Sequence, residues 1–170
     1  LFVAIGVLVG VGPSGRWAAK YGSKSVIIPA SCYLAVMVAL ISFTKNYWEF
    51  CLVLFFYGSA SAIQDVAMNA QAITIEHKYD KKFMSVFHGL WSLASLIFTF
   101  IGAIISQAKV ATYLHAPFIT LVMIVTIIIF RNWFLDSSSD KHQLETASKV
   151  KRPKVFWLLG LIGVCGQIGE

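Results

Sequence analysis

Apolar residues in this chain come in long blocks rather than in the apolar/polar alternation of a half-buried strand. Four complete spans occupy about 25–43, 48–74, 84–106 and 114–134, each near or above the roughly 17–25 residues a helix needs to cross hydrocarbon. Helix is the expected form, because an open sheet cannot satisfy its backbone in lipid and barrel strands would alternate. Shorter apolar runs stand at the two ends, Leu1 to Val11 and Val155 to Glu170. Neither reaches the length of a crossing, so the chain is expected to be a piece of a longer polytopic protein, cut inside a span at each end. No basic stretch precedes the first run and no small-residue cleavage site follows it, which argues against a signal peptide.

Polar and turn-forming residues separate the blocks: Gly12-Pro13-Ser14-Gly15, Thr44-Lys45-Asn46, His77 to Lys82, Lys109 to His115, and a long stretch from Asp136 to Lys154. The last contains Ser137-Ser138-Ser139 and a basic run, and reads as a solvated linker between two helix groups. Pro29 and Pro117 fall near span ends, where they are expected only to bend or start helices.

Composition supports the bilayer. The chain is 58% apolar and 13% charged, with a mean hydropathy of +0.74, far from the roughly 25% charged residues of a soluble domain. Its net charge of +6 would suit nucleic acid only if the cations shared one surface with stacking aromatics. They do not: of the 14 Lys and Arg, twelve fall in the first, third and fifth connections and two, Lys45 and Lys109, in the others. That bias orients the bundle, with connections 13–25, 75–84 and 131–154 in the cytoplasm of a multi-pass inner (plasma) membrane protein. Cys32, Cys51 and Cys165 all sit in apolar runs, an arrangement of packing residues rather than of a disulfide or metal framework.

The span 48–74 carries unusual polarity. At about 100° per residue, Ser61, Gln64, Asp65, Met68, Asn69 and Ala72 share one face, with Gln71 at its edge and Glu76 continuing it. A carboxylate facing lipid is costly, so Asp65 must face protein or a water-filled cavity. Either a structural hydrogen bond between helices or a functional role satisfies that requirement. In the next span Ser85, His88, Trp91, Ser92, Ser95, Thr99, Gly102 and Ser106 share a face. Small residues at this spacing also serve tight helix packing, but His88 and Trp91 are bulky and can donate hydrogen bonds to a solute. An antiparallel turn centred near Tyr79 would set Asn69 level with His88, and Asp65 level with Ser92. The resulting polar layer of Asp65, Asn69, His88, Trp91 and Ser92 could bind a hydroxylated solute, carry a proton, or both.

The segment Gly15-Arg16-Trp17-Ala18-Ala19-Lys20-Tyr21-Gly22-Ser23-Lys24 reads as a short connection whose cations either cap helix ends or pair with acidic groups on a moving partner. It resembles the cytoplasmic loop between the second and third helices of the major facilitator superfamily. Gly15, Ala18, Lys20, Tyr21, Gly22 and Lys24 match that pattern, while Ala19 replaces the usual Asp and Ser23 a common basic residue. Asp65-Val66-Ala67-Met68-Asn69-Ala70-Gln71 and Phe87-His88-Gly89-Leu90-Trp91-Ser92-Leu93 are similar to a bacterial branch called YbjJ-like, related to the fucose-permease-like transporters.

The resemblance implies an all-α transmembrane bundle, a partial major facilitator fold holding helices 2 to 7 of about twelve. Residues 1–134 would belong to the N-terminal half, 135–154 to the central linker and 155–170 to the start of the second half. It also implies that the polar face of 48–74, together with Gln167 and Glu170, looks into a central cavity completed by helices of the full-length chain. The expectations that follow concern a secondary transporter moving a small polar solute by alternating access. Gln64, Asp65, Asn69, His88, Trp91, Gln167 and Glu170 would bind solute; Asp65, Glu76 and His88 would couple protons; Gly15, Arg16, Lys20, Gly22 and Lys24 would form a gating loop. Efflux of amphiphilic compounds would call for a more aromatic cavity, and a receptor or scaffold for a large soluble domain. No nucleophile-and-base pair or metal-ligand spacing points to an enzyme, and no cofactor is expected.

Overall fold

Backbone crossing hydrocarbon must pair its own N–H and C=O groups, and the described residues do so by helix. The computed structural model describes residues 1–136, which form α1 (Phe2–Tyr21), α2 (Ser23–Ile41), α3 (Tyr47–Tyr79), α4 (Met84–Gln107) and α5 (Thr112–Phe130). All five are long and apolar enough to cross a membrane. The linker beyond Asp136 and the last apolar run, with Cys165, Gln167 and Glu170, lie outside the described residues.

Three expected boundaries need correction. The first apolar run does not stop at Val11: α1 continues through Gly12-Pro13-Ser14-Gly15 to Tyr21 and makes a crossing of 20 residues. Pro13 removes one backbone donor, but Ser14 is fully buried and its hydroxyl donates to the Val11 carbonyl at 2.7 Å. In lipid a helix absorbs such a proline, since opening the backbone would leave several polar groups unpaired. The expected loop 13–25 therefore shrinks to a single residue, Gly22, between α1 and α2. Its φ of 87° is open to glycine at little strain, and its N–H closes α1 on the Ala18 carbonyl at 2.9 Å. The expected loop 75–84 shrinks likewise. α3 runs on to Tyr79, 33 residues in all, or about 50 Å at 1.5 Å per residue, so its last turns project past the hydrocarbon. Pro29 and Pro117 lie inside α2 and α5.

Helix ends follow local chemistry. Asn46 caps α3 by accepting from the Glu49 N–H at 2.9 Å, while the Glu49 carboxylate reaches back to the Lys45 N–H at 2.9 Å. At the other end Asp80 takes the left-handed conformation, φ 49°.

Small residues decide the packing. The buried stripe of α1 is Gly6, Gly10, Ser14 and Ala18, spaced four apart, and it lies directly on the backbone of α3. A Cβ on Gly6 would collide with the Phe55 carbonyl and one on Gly58 with the Val3 carbonyl, while one on Gly10 would sit 2.5 Å from the Ser59 oxygen. α2 packs on α3 through Val26, Ile27, Ala30, Ile63 and Ala67. It is tied to α5 where the buried Thr120 hydroxyl donates to the Ala35 carbonyl at 2.8 Å. α4 approaches α3 alone among these helices, and none of its residues is buried.

Candidate functional site

Where α3 and α4 face each other near their junction, they flank an open cavity of about 420 Å³, within the size range of small-molecule sites, with Asp65, His88 and Trp91 exposed along it. The wall from α3 is Asp65, Met68, Asn69, Gln71, Ala72 and Ile75. Met84, Phe87, His88 and Trp91 of α4 form the opposite wall, and Ile27 of α2 and Phe134 beyond α5 complete it. Turns of helix explain both sets: 65, 68, 69 and 72 recur at three- and four-residue steps on α3, as do 84, 87, 88 and 91 on α4.

Four of the residues singled out in the sequence thus share one cavity: Asp65, Asn69, His88 and Trp91. Ser92 is not among its walls, nor is Gln64. The Gln64 amide nitrogen lies 3.7 Å from the Met68 sulfur, and its buried Oε1 has no partner among the described residues. Chemically the cavity offers an acceptor-only carboxylate, two amides that donate and accept, an imidazole and an indole donor. The remaining lining is aliphatic, aromatic or thioether. A solute with one polar side and one apolar side would find complements for both.

Gln71 is the residue that periodicity undervalued. It is 4% exposed, and its Oε1 accepts from the Ser23 hydroxyl while its Nε2 donates to the Leu135 carbonyl at 3.5 Å. A buried amide must spend its hydrogen bonds, and these join the start of α2, the middle of α3 and the segment after α5. Glu76 stands outside the cavity walls. One carboxylate oxygen accepts from the backbone N–H groups of Phe83 at 2.6 Å and Met84 at 2.7 Å, capping a helix whose own N-cap, Phe83, offers no side-chain acceptor.

The expected gating residues separate in space along the backbone. Gly15, Arg16 and Lys20 belong to α1, Gly22 is the joint, and Lys24 is in the first turn of α2. Lys20 lies over the Tyr21 ring at 5.1 Å, and Lys24 pairs with Asp136 at 3.1 Å. Among the described residues no three His, Cys, Asp or Glu converge as metal ligands would.

Comparison with known proteins decides the family. The sequence model of the Major Facilitator Superfamily matches residues 1–169. The chain belongs to that superfamily. This major facilitator chain is 32% identical over 97 residues to an uncharacterized MFS-type transporter of Yersinia pestis, covering 57% of the chain and 25% of the relative. It is 24% identical over 176 residues to an uncharacterized transporter of Sinorhizobium fredii, covering 100% of the chain and 45% of the relative. With the membrane protein MosC of Rhizobium meliloti it shares 28% identity over 146 residues, 85% of the chain and 35% of that protein. The chain therefore spans less than half the length of these curated relatives. No solved structure matches it. The five described helices long and apolar enough to cross a membrane agree with the multi-pass architecture of that superfamily.

Proposed function

We propose that the full-length protein is a proton-coupled secondary transporter of a small solute, and that the α3–α4 cavity is part of its solute path. The observation that carries this reading is the cavity itself. A carboxylate, two amides and an imidazole within membrane-crossing helices are expensive unless a solute or water uses them. Asp65 is the coupling group: with a proton on it the cavity exposes no ionised carboxylate, which changes the relative cost of facing either side. His88 and Trp91 meet the solute from the opposite wall, and Asn69 and Gln71 fix its hydroxyl or amide groups. Glu76, whose carboxylate is occupied by two backbone amides, positions α4 instead of carrying protons.

In this reading the end bearing the α1–α2 and α3–α4 junctions faces the cytoplasm, as its cations favour. The chain supplies helices 2 to 6 of the N-terminal half, and the motifs at 65–71 and 87–93 ally it with the YbjJ-like branch. A second reading has its own support: Ile27, Met68, Ile75, Met84, Phe87 and Phe134 make the cavity more apolar than a sugar site needs, which favours an amphiphilic solute and export.

Full-length protein in liposomes holding a pH-sensitive dye tests both. A panel of neutral hexoses and small amphiphilic quaternary ammonium ions is added outside, and solute-dependent proton movement is followed. Wild type is expected to respond to one class and Asp65→Asn to neither. Undiminished proton movement in Asp65→Asn would remove Asp65 from the coupling step, and a response to the ammonium ions alone would select the second reading.

A further inference from the structure

The three described residues that precede position 137 are fastened to the same cavity by three different kinds of contact. Phe134 packs on the α2–α3 core and lines the cavity. The Leu135 carbonyl accepts from Gln71, itself tied to Ser23. The Asp136 carboxylate pairs with Lys24 at 3.1 Å. The polar anchors lie where α2 begins and in the later part of α3, so the segment runs beside the cavity at the basic end of the bundle. None of the polar ties is strong. The ion pair is exposed, with Asp136 at 81%, and the Gln71 bond is long. The aromatic ring supplies most of the hold, and it does so from the wall of the space a solute would occupy.

We infer that residues 134–136 are a releasable strap that closes the cavity at the basic end, with Phe134 as the stopper and Lys24–Asp136 as the fastening. The inference rests on the transport reading, since it takes the cavity to be a solute path. A solute larger than the space left with Phe134 in place must push the ring off its wall to fit. Displacing the ring leaves only exposed polar ties, so occupancy and opening at that end are linked. Gln71 makes the link specific, because the same side chain lines the cavity and holds the strap. Phe134 is then also a residue that sets solute size.

The test uses full-length protein in membrane vesicles, with native cysteines replaced by serine and one introduced by Asn69→Cys in the cavity wall. Labelling by a membrane-impermeant sulfonated maleimide is timed with the reagent on the side faced by the basic end, and separately on the other side. Lys24→Asp is expected to speed labelling from the basic end by about fivefold, the shift in open population that follows from losing one weak tie, and Phe134→Ala, which removes the larger part of the hold, by more than that. The charge exchange Lys24→Asp with Asp136→Lys should return the rate to that of the parent, which a merely unfolded variant would not do. If position 69 is labelled but none of these variants alters its rate, the strap is wrong and the transport reading stands. If position 69 is unreachable from both sides in every variant, the solute path is wrong and the strap falls with it.

Discussion

Replacing Gly10 by alanine adds one methyl group at a tight part of the α1–α3 contact, where only backbone atoms stand in the way. The new Cβ would lie 2.5 Å from the Ser59 carbonyl oxygen and 3.0 Å from the Ser59 Cα. Ordinary van der Waals contact begins at 3.4 Å, so the helix backbones must part by about 1 Å, which forfeits a quarter to a half of the dispersion energy along the seam. Overpacking of this kind costs about 1–3 kcal/mol, and a backbone obstacle puts it in the upper half of that range. Alanine returns up to about 1 kcal/mol of helix propensity. The net loss is therefore about 1–2 kcal/mol. Gly12, two residues away on the same helix, has nothing within 4 Å of its Cβ position, so Gly12→Ala carries the propensity gain without the clash. Thermal unfolding of the full-length protein in detergent, followed by the loss of its monodisperse chromatographic peak, compares the two. Gly10→Ala should melt several degrees below wild type and Gly12→Ala at or above it. Equal melting of the two variants would mean that α1 does not lie against the α3 backbone in the assembled protein.

Two further outcomes check other joints. Glu76→Ala leaves the Phe83 and Met84 amides without their acceptor and should lower stability by about 1–2 kcal/mol. Glu76→Gln keeps an acceptor oxygen and should lose less; spin labels on α3 and at the Gln107 end of α4 should show a broadened distance in the alanine variant only. Thr120→Val removes the bond to the Ala35 carbonyl while nearly preserving shape, and should cost about 0.5–1.5 kcal/mol by the same melting assay. Because Thr120 and Gly10 serve different helix pairs, the double variant should lose the sum of the two.

Crossings and their order are legible in the sequence because a run of some twenty apolar residues has one low-energy form in lipid. The meeting of Asp65, Asn69, His88 and Trp91 is legible too, since a short turn and two regular helices fix depth by counting. Boundaries are less so, for a physical reason. Gly12-Pro13-Ser14-Gly15 carries the chemistry of a turn in water, yet α1 passes through it, because in hydrocarbon an unpaired backbone group outweighs turn propensity. Likewise the polar residues Glu76 to Lys78 mark the water interface and not the end of α3. The four-residue spacing of Gly6, Gly10, Ser14 and Ala18 was available as a signal of close helix approach, whereas its partner, the backbone around Gly58, was not. Gln71 and Glu76 are legible as polar residues on a face. What each bonds depends on Ser23, Leu135 and the α4 amides, which lie from seven to 64 positions away, and no periodicity reports such partners.

The cavity has one wall that is packed on two other helices and one that, among the described helices, is fastened mainly at its start. α3 is clamped to α1 around Gly58, about 16 Å along its axis from Asn69, and again to α2 through Ser23 and Gln71. α4 approaches only α3 among the described helices and is fastened at its start by Glu76. Under the proposed transport role, a swing of α4 about Met84 would change the cavity without disturbing the α1–α2–α3 seam. His88 and Trp91 lie about 6 and 10 Å from that pivot along the helix, and Gln107 about 35 Å. A swing of about 10° therefore displaces the indole by about 2 Å and the far end of α4 by about 6 Å. The polar residues sit where the wall moves least, so contacts to a bound solute can persist while the distant end of the helix opens or closes. A site near the pivot is what alternating access requires, because the solute must stay bound while its surroundings change sides. Without the Glu76 cap the pivot itself would fray, and the swing would carry His88 and Trp91 away from Asp65 and Asn69 instead of around them.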